Sequence, residues 1–325
     1  MIGVRTPFRI SFFGGGTDLP NFYRKNGGSV ISTSINKYMY IFIHKYFTDQ
    51  IQIKYSKTEL ANNFDQIKHP IVREILKKYK LSGVDINSIA DIPSGTGLGS
   101  SSSFTVTLLN AVYTYIGQHV SHERLAKEAS EIEIEILNEP IGKQDQYAAS
   151  YGGFNRINFL KNGNVNVKRI PLNIEDIREL NDRLILFYYG NQRNASDILS
   201  EQNKKINSKI TTQSTLKKMV KLVDEAEKYL IVKDFDNFGY LLNETWNLKK
   251  TLASNISDKK IDDIYKIGID SGAYGGKLLG AGGGGFFLFY IRNEDRSKLI
   301  NNLSSLKEFD FKFEDTGSTI IINNK

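Results

Sequence analysis

One segment constrains this chain more than any other: Pro93-Ser94-Gly95-Thr96-Gly97-Leu98-Gly99-Ser100-Ser101-Ser102-Ser103. It joins a strand expected at 84–92 to a helix expected at 101–116, where Phe104, Leu108, Ala111, Val112 and Tyr115 recur at helical spacing. Glycines let the backbone approach a ligand and take positive φ. Amides at the start of the helix, aided by its dipole, favour an anion there. A flexible linker would be flanked by more polar sequence, and this loop is not. The segment is no Walker loop, because Gly-Lys-Ser/Thr is missing, and its glycines run into four serines instead of a third spaced glycine, unlike a dinucleotide fingerprint. The expected phosphate cradle is Pro93, Gly95, Gly97, Leu98, Gly99, Ser100, Ser101 and Ser102.

Elsewhere, strands are expected at 9–13, 38–46 and 50–55, where Ile, Phe and Tyr lie between turn residues. A short helix is expected at 71–79, and another from Ser121 to about 137, ending before Pro140. Residues 155–159 and 165–170 flank Asn162-Gly163-Asn164 as a hairpin. The pattern weakens over 171–182, which divides the chain into expected domains 1–175 and 176–325. The second half predicts a strand at 183–189, helices at 195–209, 212–231, 234–251 and 258–271, and strands at 285–291, 309–313 and 318–323. Without a regular βαβ rhythm this mixture predicts an α+β fold.

Composition removes several function classes. With no cysteine among 325 residues, disulfides, thiolate metal sites and a cysteine nucleophile are excluded. The N-terminus lacks the apolar core of a signal peptide, and no stretch approaches the ~18 apolar residues of a membrane span, so a cytoplasmic location is expected. The net charge of +7 would suit nucleic acid if clustered, but lysine pairs at 204–205, 217–218, 249–250 and 259–260 are scattered and read as solvated helix faces. Neither a nucleic-acid nor a membrane partner is expected.

Two further segments accompany the loop: Pro7-Phe8-Arg9-Ile10-Ser11-Phe12-Phe13-Gly14-Gly15-Gly16-Thr17-Asp18 and Gly276-Lys277-Leu278-Leu279-Gly280-Ala281-Gly282-Gly283-Gly284-Gly285. Each alone is a weak glycine signal. In this order and at these positions the three resemble the motifs of the galactokinase, homoserine kinase, mevalonate kinase and phosphomevalonate kinase (GHMP) family over essentially the whole chain. The resemblance implies a two-domain α+β fold, with an N-terminal domain of the ribosomal-protein type and a ferredoxin-like C-terminal domain. It also implies ATP and Mg²⁺, with a small-molecule acceptor in the cleft between the domains. A homodimer remains open.

The resemblance assigns roles by position. Asp145, in Gly142-Lys143-Gln144-Asp145-Gln146, matches the family's catalytic aspartate and is expected to accept the acceptor's proton. Arg9 matches its N-terminal cation and would steady the carboxylate and the forming alkoxide. Ser101 and Glu133 are the expected metal ligands, with Glu131 and Glu135 left as alternatives on either side. Successive helical residues point about 100° apart, so only one of the three can face the phosphates squarely. Asp18 matches the acidic residue that clamps sugar hydroxyls. Gly15-Gly16 replaces the Glu-His of galactokinases, which opens room for a longer or phosphorylated sugar. Segments 5–18, 142–155 and 190–196 resemble bacterial heptose 7-phosphate kinases, which implies anomeric phosphorylation of a sugar phosphate to its 1,7-bisphosphate. The expected substrate-binding set is Gly14, Gly15, Gly16, Thr17, Asp18, Lys143, Arg193, Gly282 and Gly283, with Arg5 a weaker cation.

Overall fold

A computed structural model describes residues 1–190 and 195–324. Its strands are β1 (Ile2–Phe13), β2 (Gly28–Lys45), β3 (Ile51–Lys54), β4 (Thr58–Ala61), β5 (Val84–Ala90), β6 (Phe154–Phe159), β7 (Val165–Arg169), β8 (Leu184–Gly190), β9 (Gly275–Leu278), β10 (Gly285–Tyr290), β11 (Lys307–Phe309), β12 (Phe313–Glu314) and β13 (Thr319–Asn323). Its helices are α1 (Pro20–Asn26), α2 (Pro70–Tyr79), α3 (Ser100–Tyr115), α4 (His122–Ser130), α5 (Gln144–Tyr151), α6 (Ile174–Asp182), α7 (Ala195–Ser208), α8 (Ile210–Ile231), α9 (Phe235–Lys250), α10 (Lys259–Asp270) and α11 (Asn293–Asn302).

One sheet runs β13-β1-β2-β5-β3-β4, with β6 and β12 also pairing β2 and β7 extending β6. A second, antiparallel sheet has the order β11-β8-β10-β9. This is the expected α+β class. After the second sheet the chain returns to the first: β13 pairs β1 and β12 pairs β2. The strand expected at 309–313 is accordingly two short ones, β11 in the second sheet and β12 in the first.

β1 is the spine of the site. Phe8, Ile10 and Phe12 alternate with Arg9 and Ser11, so the apolar side chains enter the core while Arg9 and Ser11 share the other face. β2 starts ten residues before the expected 38, because Ser29, Ser32, Thr33 and Ser34 mask a strand that β6 and β12 bury. α3 was expected to bury one stripe, yet it is buried on every side from Ser102 to Thr114. Its polar residues survive there by bonding backward: Thr105 Oγ1 donates to the Ser101 carbonyl and Thr114 Oγ1 to that of Asn110, at 3.1 and 2.8 Å. The weak stretch at 171–182 contains α6, begun by a capping box between Asn173 and Asp176.

Candidate active site

The phosphate loop meets β1 through its backbone. The Arg9 amide donates to the Leu98 carbonyl at 3.1 Å, and Arg9 Nη1 donates to the Gly97 carbonyl at 2.7 Å. The other edge of the guanidinium forks onto Asp145, with Nε to Oδ1 and Nη2 to Oδ2 both at 2.8 Å. A two-bond fork fixes the plane of the carboxylate as well as its distance. Asp145 stands in the first turn of α5, a helix for which the sequence carries no expectation. Arg9 and Asp145 therefore face the same cavity of about 370 Å³ that the loop glycines and serines line.

Gly95, Gly97 and Gly99 all take positive φ, the last as the N-cap of α3. Ser100, Ser101 and Ser102 open the helix beside the cavity. Behind them α4 continues as a π turn over Glu131–Ile136. That turn buries Glu133 and leaves Glu131 and Glu135 exposed. The Glu133 carboxylate accepts from Ser101 Oγ at 3.0 Å, Ser102 Oγ at 2.9 Å and Gln146 Nε2 at 2.6 Å. Burial pushes its carboxyl up, and those donors oppose the rise. Hard oxygen donors of this kind fit Mg²⁺. Among the described residues no three His, Cys, Asp or Glu cluster. The protein thus offers one carboxylate and hydroxyls, leaving positions for phosphate and water, as Mg²⁺ prefers.

At the other end of the cavity, Asp18 is held by backbone alone. Its carboxylate accepts from the Gly16 amide at 2.9 Å and the Gln144 amide at 3.2 Å. Burial, and then the nearby Asp145 charge, push its carboxyl up to about 6. Gly142 makes this closeness possible, since a Cβ there would overlap the Asp18 carboxylate. Gly15 and Gly16 line the cavity without side chains.

Other expected residues stand elsewhere. Pro93 and Leu98 lie off the cavity wall; Pro93 accepts from Thr96 Oγ1 and Leu98 is core. Gly14 and Thr17 shape the turn from beneath, where Thr17 Oγ1 donates to the Ser29 carbonyl at 2.9 Å. Gly282 lines the cavity, whereas the Gly283 amide is committed to the Ile256 carbonyl at 3.0 Å. Lys143 turns away: its Nζ donates to the Gly163 carbonyl at 3.1 Å and sits over the Tyr23 ring. Arg5 stacks on Tyr38. Arg193 lies outside the described residues.

Several wall residues have no role assigned by the sequence, although Ser11 and Lys277 lie inside its motifs. Ser11 Oγ donates to Gln144 Oε1 at 2.8 Å, tying β1 to α5. Lys249 and Lys277 also line the cavity, both buried. The pair at 249–250 was expected on a solvated face, but only Lys250 behaves so, pairing with Asp262 at 3.3 Å.

Two segments of the chain are recognisable. Residues 51–153 match the GHMP kinases N-terminal domain, and residues 222–307 match the GHMP kinases C-terminal domain. A D-glycero-alpha-D-manno-heptose 7-phosphate kinase from Campylobacter jejuni is 33% identical, over 97% of each chain. A galactokinase from Pyrococcus furiosus is 27% identical, over 96% of this chain and 94% of its own. The crystal structure of a D-glycero-D-manno-heptose 1-phosphate kinase from Bacteroides thetaiotaomicron superposes with a TM-score of 0.82 at 23% identity, over all of both chains, a likeness of fold. The chain belongs to the GHMP kinase family. It is a kinase, and its α+β architecture is the two-domain fold of that family.

Proposed function

We propose that this kinase is a cytoplasmic enzyme that transfers the terminal phosphoryl group of ATP to the anomeric hydroxyl of D-glycero-D-manno-heptose 7-phosphate. The product would be the 1,7-bisphosphate, for nucleotide-activated heptose synthesis. The observation that carries the reading is the Arg9–Asp145 fork, set between the phosphate loop and Asp18 in one cavity. The Campylobacter relative supports the choice of acceptor.

The chemistry follows from what each residue can do. The acceptor's O–H bond breaks as its oxygen forms a bond to the γ-phosphorus, while the bond to the bridging oxygen breaks and ADP leaves. Asp145 takes the proton. Arg9 keeps the carboxylate aimed and presents positive charge to the oxygen as it becomes anionic. The amides of Gly99 to Ser102 hold phosphate oxygens at the start of α3. Ser101 and Glu133 would hold Mg²⁺, which supplies charge neutralisation on the phosphates. Asp18 keeps lone pairs free beyond its two amide bonds, enough to accept acceptor hydroxyls. Gly15 and Gly16 leave space beside it.

ADP release in the presence of heptose 7-phosphate, fucose and galactose tests the proposal. Turnover confined to the heptose phosphate is expected. One observation favours a free-sugar kinase as second reading: Lys143, an expected cation for the sugar phosphate, is engaged outside the cavity. Better turnover of fucose or galactose would select that reading.

A further inference from the structure

Two ammonium groups in the cavity wall have no anionic partner among the described residues. Lys249, at the end of α9, is 8% exposed, and its Nζ donates to the Leu278 and Gly280 carbonyls at 3.2 and 2.5 Å. Lys277, on β9, is 3% exposed, and its Nζ donates to the Ser11 and Phe12 carbonyls at 2.9 and 2.8 Å. Among the described residues no carboxylate pairs with either. The charged groups that face Lys249 from the elements packed against it are Arg9 on β1 and Lys277 on β9, both cationic. Burial, and then Arg9, press the Lys249 ammonium down to about 7. The Trp246 ring, with its centroid 6.0 Å from the Lys249 ammonium, adds a weak cation–π contact, but a buried cation without a counter-charge is still costly. An anion arriving beside it removes much of that cost.

Position indicates which anion. The turn that Lys249 grips packs directly on the phosphate loop: a Cβ on Gly97 would meet the Leu279 carbonyl oxygen at 2.6 Å. The Gly97 carbonyl in turn receives Arg9. Lys249 thus holds the turn that packs on the loop, while Arg9 bonds the loop directly from β1. The loop itself contains no lysine or arginine between Pro93 and Ser103. We propose that Lys249 is a further catalytic residue, whose ammonium contacts the terminal phosphate of the nucleotide and neutralises the phosphoryl group in transit. The inference rests on the kinase reading but not on which sugar is the acceptor.

The test uses the full chain with Lys249→Met and Lys249→Arg. Thermal unfolding is followed with Mg²⁺ and either the non-hydrolysable ATP analogue AMP-PNP or ADP, without sugar. Lys249→Met should lose most of the extra stabilisation that AMP-PNP gives over ADP, and Lys249→Arg should keep part of it. In turnover, kcat should fall about 100-fold or more in Lys249→Met, while KM for the sugar moves less than about threefold. If Lys249→Met does not fold, Lys249→Gln, which keeps a donor for the carbonyls without the charge, is read the same way. Equal loss of AMP-PNP and ADP stabilisation would overturn the proposal in favour of mere support of the glycine turn. A rise confined to KM for a phosphorylated sugar would overturn it in favour of the sugar's own phosphate. Because the nucleotide arm needs no sugar, a wrong acceptor assignment leaves its result intact.

Discussion

Two buried carboxylates, Glu133 behind the serines at the proposed nucleotide end and Asp18 on the cavity wall at the proposed sugar end, are held in different ways. At the nucleotide end, Glu133 accepts from side-chain donors on Ser101, Ser102 and Gln146, which leaves it a free lone pair. At the sugar end, Asp18 is held by two backbone amides, with a second carboxylate, Asp145, as neighbour. The first arrangement suits a group met in every turnover, a metal with its phosphates. Under the proposed function the second serves one acceptor, since it depends on the path of two turns. Between them the Arg9–Asp145 fork serves both ends.

The largest expected effect falls on that shared point. Asp145→Asn should lower kcat by ~10² to 10⁴ while the fold is retained, read by ADP release and thermal unfolding. Full activity would remove Asp145 from the chemistry. At the nucleotide end, Glu133→Gln should raise the half-saturating Mg²⁺ concentration by ~10- to 100-fold. An unchanged Mg²⁺ titration would reduce Glu133 to a brace for the serines. At the sugar end, Gly142→Ala should push against the Asp18 carboxylate and raise KM for the acceptor about tenfold, with KM for ATP nearly constant. Equal changes in both constants would erase the contrast between the ends.

Acid should distinguish the ends as well. The Asp18 carboxyl is raised from 3.8 to about 6, so its ionised, hydroxyl-accepting form is lost as pH falls through about 6. The kcat/KM for the acceptor should drop with it, by approaching tenfold per unit of pH below that point, and Asp18→Asn should remove this limb of the profile. The same shift has the opposite sign for stability. Between 3.8 and about 6 the folded protein binds more protons at Asp18 than the unfolded chain, so this group's contribution to stability falls as pH rises through that window. The smallest effect belongs to Lys143→Met. Its ammonium is spent on the Gly163 carbonyl, and kinetic constants should stay within about twofold.

What the sequence made legible follows the same contrast. Arg9, the loop glycines and serines, and Asp145 sit in contiguous motifs whose backbone demands show in residue type. Glu133 was legible only as one of three, because the choice is made by a π turn that no local pattern announces. Lys249 was read as part of a solvated pair, since an amphipathic helix gives no hint that a distant turn will cover its end. β12 and β13 read as tail strands of the second half, although their partners lie some 280 to 320 residues earlier, at Ile35 and Ile2. α5 was missed because its short run, Gln-Asp-Gln-Tyr-Ala-Ala-Ser-Tyr, shows no apolar stripe.

The most direct measurement is phosphorus NMR of the product formed from ATP and D-glycero-D-manno-heptose 7-phosphate, with Asp145→Asn alongside. The account predicts a second sugar phosphorus resonance coupled to the anomeric proton, growing in step with ADP and strongly suppressed in the variant. ADP release without that resonance, or equal product from Asp145→Asn, would contradict it.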